Sequence, residues 1–197
     1  MTLPNKLTLG RLLLALITFA CIWAGKPAAY AAALGLYLLA TITDWVDGYI
    51  ARRTDSVSTF GKMADPLADK VLVIGALIAF VRVPGLGVPA WAVFLIVVRE
   101  LLVGGLRALA AVQGVVLAAD RGGKWKMAVQ SVSIILILIL MTAVAYGFGP
   151  APLWIRNAPY YLVLLSMLVT LLSGFQYAYN ARGMLRKSWS VPDGGKS

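Results

Sequence analysis

The chain has no histidine and only one cysteine, Cys21. No intrachain disulfide can form, and imidazole catalysis and His-based metal sites are excluded. Charge is scarce too: 13% of residues are charged, where a soluble domain carries about 25%. Acids are rarest, eight against eighteen Lys and Arg. Against these shortages stand 60% apolar residues and a mean hydropathy of +0.83. Disorder, a coiled coil and a disulfide scaffold are excluded, and 197 residues leave little room for a large soluble domain beside several membrane spans. In a membrane protein the net charge of +10 points to basic loops at an anionic leaflet or to anionic substrates, not to nucleic acid.

A helix crosses a bilayer with about 20 mostly apolar residues. Six stretches qualify or nearly so: 9–24, 28–50, 65–83, 88–111, 127–148 and 159–179. Breakers separate them at Gly25-Lys26-Pro27, Pro84-Gly85-Leu86-Gly87, Gly122-Gly123 and Gly149-Pro150. The expected fold is all-α, a polytopic membrane protein of six transmembrane helices. One domain would cover 1–187, followed by a loose polar tail over 188–197. With the N-terminus inside, the outer loops carry only Lys26, Arg82 and Arg156, while thirteen Lys and Arg lie at the inner face. That bias places both termini in the cytoplasm and the protein in a cell inner membrane. Lys6 and Arg11 before an apolar run resemble a signal peptide, and Thr18–Cys21 faintly resembles a lipoprotein cleavage site. A leading span with several behind it reads instead as a retained anchor.

Two spans carry charges at the wrong depth. In the third, the clean apolar run 71–81 covers half a bilayer, so the helix must take in Lys70, Asp69 and Asp65. In the second, the uncharged run 28–43 ends at Asp44 and Asp47. The i, i+3 and i, i+4 spacings put each aspartate pair on one helical face. A membrane-embedded acid costs about 2.5–3.5 kcal/mol. Asp65-Pro66 as a helix start, or pairing of Asp47 with Arg52 or Arg53 and of Asp69 with Lys70, explains single acids but not all four. Hard oxygen donors without His or Cys point to Mg²⁺, Mn²⁺ or Ca²⁺, and four aspartates can hold two ions for displacement at phosphorus. Gly48, Ala51 and Gly61 line the acids with small walls, and Arg52 lies two turns from Asp44, within reach of a bound phosphate.

The run Asp44-x-x-Asp47-Gly48-x-x-Ala51-Arg52, then Gly61-x-x-x-Asp65-x-x-x-Asp69, resembles the signature of the CDP-alcohol phosphotransferase family at all eight positions. The resemblance implies a six-helix membrane enzyme, usually a homodimer, that displaces CMP from a CDP-linked lipid or alcohol with an incoming hydroxyl. It implies two divalent metal ions, Mg or Mn, on Asp44, Asp47, Asp65 and Asp69, with Asp69 also the base. Gly48, Arg52 and Ser58 would contact the cytidine diphosphate portion, with Gly61 in the same notch. Pro4-Asn5-Lys6-Leu7-Thr8-x-x-Arg11 looks like the opening of many bacterial members, a short interfacial segment with Asn5, Thr8 and Arg11 near the diphosphate.

The signature leaves the acceptor open. Arg99-Glu100, followed by Arg107 and then Gly123-Lys124-x-Lys126-x-x-x-Gln130, looks like the branch that makes phosphatidylglycerophosphate from CDP-diacylglycerol and sn-glycerol 3-phosphate. A phosphorylated acceptor needs cations beyond those holding the donor; Arg107, Lys124 and Lys126 supply them, with Lys70 beside Asp69. Inositol phosphate would need them too, whereas serine would not; phosphatidylglycerol is a further rival. Phe175, Tyr177 and Tyr179, like Trp23, Trp91 and Trp154, read as interfacial aromatics. A divalent-cation transport path would spread acids through the membrane depth, yet only Glu100 lies near the middle.

Overall fold

The computed structural model describes residues 3–54, 59–112, 121–147 and 152–189, with side chains at 9–44, 67–112, 123, 125–147 and 152–182. The described residues form seven helices and no strand: α1 Leu3–Ala24, α2 Pro27–Thr54, α3 Thr59–Arg82, α4 Ala90–Val112, α5 Arg121–Ala145, α6 Leu153–Arg156 and α7 Ala158–Trp189. Gly25 ends α1 with φ of 69° and Gly147 follows α5 with φ of 77°, a conformation that glycine adopts without a Cβ penalty.

Five of the six long helices overlap their expected spans within a few residues at one end and overrun them at the other. α1 runs unbroken from Leu3, so the opening motif is part of the first helix and not a separate interfacial segment. α3 begins at Thr59, so Asp65 and Pro66 lie inside the helix and do not start it. α7 continues through Ser188 and Trp189, the first residues of the expected tail; 190–197 lie outside the described residues. The single turn α6 had no counterpart in the sequence reading; it follows Pro152, whose fixed φ suits a helix start.

Buried residues on α1 fall at Arg11, Ala15, Thr18 and Ile22, and on α2 at Ala33, Tyr37 and Ala40, with Asp44 next in step. Both seams have four-three-four spacing, the period that keeps one helix face on a neighbour. Each seam ends in a charge. α1 packs between α2 and α3, α5 touches α2, α3 and α7, and α4 touches α3 and α7. The long helices thus close a ring in the order α1, α2, α5, α7, α4, α3. At one end Arg82 of α3 stacks over Trp23 of α1, 3.9 Å from the ring centroid. Arg11 and Asp44 mark the other end.

Apolar side chains face outward all round: Leu13, Ile17, Phe94, Leu101, Leu102, Val132, Leu168 and Phe175 are exposed. Arg11, Thr18, Arg99, Glu100, Lys126, Gln130, Ser133, Ser166 and Thr170 are buried. An apolar surface around a largely apolar core that also holds buried charges fits a membrane protein. Trp125–Ala145 and Ala158–Arg182 are long and apolar enough to cross a membrane, and Leu9–Ala24 is a shorter apolar helix. In α4 the charges Arg99, Glu100 and Arg107 interrupt an otherwise apolar sequence. Trp23, Trp91, Trp154, Phe175 and Tyr179 are exposed, as interfacial aromatics must be, but Tyr177 is buried at 6% and belongs to the interior.

Candidate active site

Arg11 is 3% exposed, at the point where α1 separates α2 from α3. Its Nη1 donates to Asp44 Oδ1 of α2 at 2.5 Å and to Asp69 Oδ1 of α3 at 3.1 Å. The aspartate side chains keep 41% and 27% of their surface. The guanidinium is therefore the floor of a notch and the carboxylates are its accessible walls. Charge-assisted bonds of this kind are about twice as strong as neutral ones and fix both acids in place. The field of Asp69 also reaches the Tyr37 hydroxyl, buried beside Ser131 of α5.

Two hard oxygen donors from separate helices thus converge on one positive nitrogen, and such a donor set fits Mg²⁺ or Mn²⁺. Asp47 and Asp65 lie one turn from them along α2 and α3. Their side chains are outside the described residues, as are those of Asn5, Thr8, Gly48, Arg52, Gly61 and Lys124; Ser58 is outside altogether. Among the described residues no group of three potential metal ligands forms.

A second polar cluster lies across α3. The buried stripe of α4 runs through Ala92, Val93, Ile96, Arg99, Glu100, Val103 and Ala110, so both charges of the Arg99-Glu100 pair face inward. Glu100 Oε1 accepts from Arg99 Nη1 at 3.1 Å and from Lys126 Nζ of α5. Lys70 Nζ of α3 donates to the Glu100 carbonyl at 3.3 Å. Arg99 Nη2 reaches Ser173 Oγ of α7 at 2.9 Å. Two glycines make room. A Cβ on Gly104 would stand 2.8 Å from Lys70 Nζ, and one on Gly174 would stand 2.8 Å from Arg99 Cγ. Below this cluster α5 and α7 are joined by Gln130 Nε2 to Thr170 Oγ1 at 2.8 Å and by Ser166 Oγ to Ser133 Oγ at 3.0 Å.

Arg107 stands apart, exposed, its guanidinium 5.4 Å from the centroid of the Tyr177 ring. The structure therefore gathers Arg11, Asp44 and Asp69 at one locus and Lys70 and Lys126 at another. Arg11, expected beside the diphosphate, is the ion-pair partner of two expected metal ligands. Neutralisation of Glu100 by Arg99 or by partners on other helices was legible in the sequence, but Lys126 and Lys70 as its partners, and the contribution of Ser173, were not. The only signal for Ser173 was its place in step with Ser166, Thr170 and Tyr177 along α7.

A sequence model of the CDP-alcohol phosphatidyltransferase family matches residues 1–172. The chain belongs to that family. Among similar proteins is a CDP-diacylglycerol–glycerol-3-phosphate 3-phosphatidyltransferase of Bacillus subtilis (strain 168), 37% identical over 190 residues, covering 89% of this chain and 92% of that one. A protein of the same name from Rickettsia felis is 31% identical over 180 residues, again 89% and 92%. A cardiolipin synthase (CMP-forming) of Oryza sativa subsp. japonica is 34% identical over 149 residues, 68% of this chain but 44% of that one. For a CDP-alcohol phosphatidyltransferase the two loci have distinct chemistry. The acidic notch suits a metal-bound diphosphate, and the cationic cluster beyond Lys70 suits an anion.

Proposed function

We propose that this phosphatidyltransferase moves the phosphatidyl group of CDP-diacylglycerol to sn-glycerol 3-phosphate, giving phosphatidylglycerophosphate and CMP. The observation that carries the proposal is the pairing of the two loci through consecutive residues. Asp69 meets Arg11, which also pairs with Asp44, while the next residue, Lys70, reaches Glu100 of α4. The relatives that span nine-tenths of the chain bear the corresponding name. The rice relative bears the name of a different synthase, and less than half of its length is matched.

In this reading Asp44, Asp47, Asp65 and Asp69 hold two divalent ions, Mg or Mn. When bound, these supply charge neutralisation for the donor diphosphate and for the leaving CMP. Arg52 and Arg11 bind diphosphate oxygens, with Asn5, Thr8, Gly48, Ser58 and Gly61 shaping the donor pocket. Arg107, Lys124, Lys126 and Lys70 attract the acceptor phosphate. The acceptor's 1-hydroxyl oxygen attacks the phosphorus attached to diacylglycerol. Asp69 takes the hydroxyl proton, the new O–P bond forms, and the bond to the CMP oxygen breaks with its electron pair leaving on CMP.

The same proposal places α1, α2, α3, α4, α5 and α7 across an inner membrane, with both termini and the notch at the cytoplasmic face. The basic ends of the helices support that orientation. The homodimer implied by family resemblance belongs to this reading as well.

The test is CMP release by the detergent-purified protein given CDP-diacylglycerol and Mg²⁺ or Mn²⁺. Glycerol 3-phosphate, inositol phosphate, serine and phosphatidylglycerol are supplied separately. Release with glycerol 3-phosphate alone supports the proposal. Release with another acceptor instead keeps the displacement and overturns the acceptor.

A further inference from the structure

Three cations from three helices converge on one residue, Glu100: Arg99 of its own helix and Lys126 of α5 on the carboxylate, and Lys70 of α3 on the carbonyl. Arg99, Glu100 and Lys126 are each less than a tenth exposed. A buried carboxylate between two buried cations holds all three at fixed positions, since an alternative arrangement leaves a charge without a partner. One carboxylate against three cations leaves a formal surplus of two positive charges. Among the described residues no other acid pairs with Arg99, Lys70 or Lys126. Arg99 Nε, also buried, has no hydrogen-bond partner.

The surplus indicates the charge type of ligand that completes the cluster. A phosphate monoester carries about −1.5 to −2 charges at neutral pH, whereas a phosphodiester carries one. Resting on the acceptor reading above, we infer that Glu100 is the positioning residue for the acceptor. Its carboxylate orients Lys126, its backbone carbonyl holds Lys70, and its charge trims the local total from three to two, so that the site discriminates a phosphate-monoester acceptor from a diester or an uncharged one. Each ammonium uses one of its three donors on Glu100 and keeps others for the acceptor phosphate. Glu100 does not touch the reacting atoms. Its effect is on acceptor binding through the lysines.

The experiment compares wild type, Glu100→Gln and Glu100→Asp, each purified and checked for an intact thermal transition. KM is measured separately for CDP-diacylglycerol and for glycerol 3-phosphate. Glu100→Gln keeps the shape and the carbonyl that holds Lys70 but removes the charge that fixes Arg99 and Lys126, so KM for glycerol 3-phosphate should rise by roughly tenfold or more. KM for CDP-diacylglycerol should stay within about twofold, because the Glu100 carboxylate bonds Arg99 and Lys126 and not the Arg11–Asp44–Asp69 locus. Glu100→Asp should recover part of the acceptor affinity. An unchanged acceptor KM in folded Glu100→Gln overturns the assignment, and so does a parallel rise in both KM values, which marks a merely structural role. Wild-type protein that uses only an uncharged or diester acceptor overturns both this inference and the acceptor reading. Wild-type protein that uses glycerol 3-phosphate with an indifferent Glu100 overturns this inference alone.

Discussion

Asp44 and Asp69, on helices that α1 holds apart, are joined through a single nitrogen, Nη1 of Arg11. The seams of α1 and α2 make this inevitable. Their matched spacing brings Arg11 opposite Asp44 at one end of the helix pair, and the packing of α3 on the other side of α1 brings in Asp69. Two carboxylates around one point would repel each other; the guanidinium supplies the positive charge that holds them.

Asp69→Asn retains the shape of the side chain and its capacity to accept a hydrogen bond from Arg11, but cannot take a proton. Turnover should fall by at least about a hundredfold, the lower range for removing a general base. The thermal transition should remain. CMP release measured alongside circular dichroism melting separates the two. Near-normal release removes Asp69 from the role of base.

Arg11→Ala leaves the two carboxylates facing each other without their shared cation. The cost should be about 2 kcal/mol, less than the 3–5 kcal/mol for a fully buried pair because both acids are partly exposed. Melting in EDTA and in Mn²⁺ then reads the chemistry of the notch. A ligand that binds only the folded protein raises its stability by mass action. Without the competing guanidinium, Mn²⁺ should raise the melting temperature of Arg11→Ala more than that of wild type. Equal shifts would show that the ion binds away from Arg11.

Much of this arrangement was readable in the sequence because its parts are periodic. The apolar runs marked six long helices, and the charges interrupting them marked Asp44 and Asp69. What escaped was what periodicity does not encode. Glu100 meets partners 26 and 30 residues away, and Arg99 meets Ser173 at a separation of 74, so their convergence depends on the order of helices around the ring. Arg11 was expected beside the diphosphate, and its pairing with Asp44 and Asp69 depends on how α2 and α3 pack on α1, which its own sequence surroundings do not encode. Tyr177 looked interfacial because Phe175 and Tyr179 beside it are, yet the helical turn sends it to the opposite side.

Gly174 and Gly104 offer a matched pair of substitutions. Alanine normally favours a helix by about 1 kcal/mol over glycine. At Gly174 the added Cβ would meet Arg99 Cγ at 2.8 Å and Nε at 2.9 Å, atoms held by the bonds to Glu100 and Ser173. Gly174→Ala should destabilise by about 1–3 kcal/mol, as overpacking does. At Gly104 the Cβ would meet only Nζ at the tip of the long Lys70 side chain, which one hydrogen bond to the Glu100 carbonyl holds. Gly104→Ala should therefore change stability by under about 1 kcal/mol. Thermal melts of the two variants check the contrast, and equal losses would show that the Arg99 side chain is free to move aside.

Orientation in the membrane is testable with introduced thiols, because only one native cysteine needs to be removed. In a Cys21→Ser background, cysteines are placed at Lys26, in the turn between α1 and α2, and at Lys124, near the start of α5. The charge bias puts Lys26 outside and Lys124 inside. A membrane-impermeant maleimide added to spheroplasts should label Lys26→Cys directly, and Lys124→Cys only after permeabilisation. The reverse pattern would invert the protein and place the Arg11–Asp44–Asp69 notch at the outer face. There cytoplasmic CDP-diacylglycerol headgroups and glycerol 3-phosphate could not reach it, so the proposed reaction and the proposed orientation stand or fall on the same labelling result.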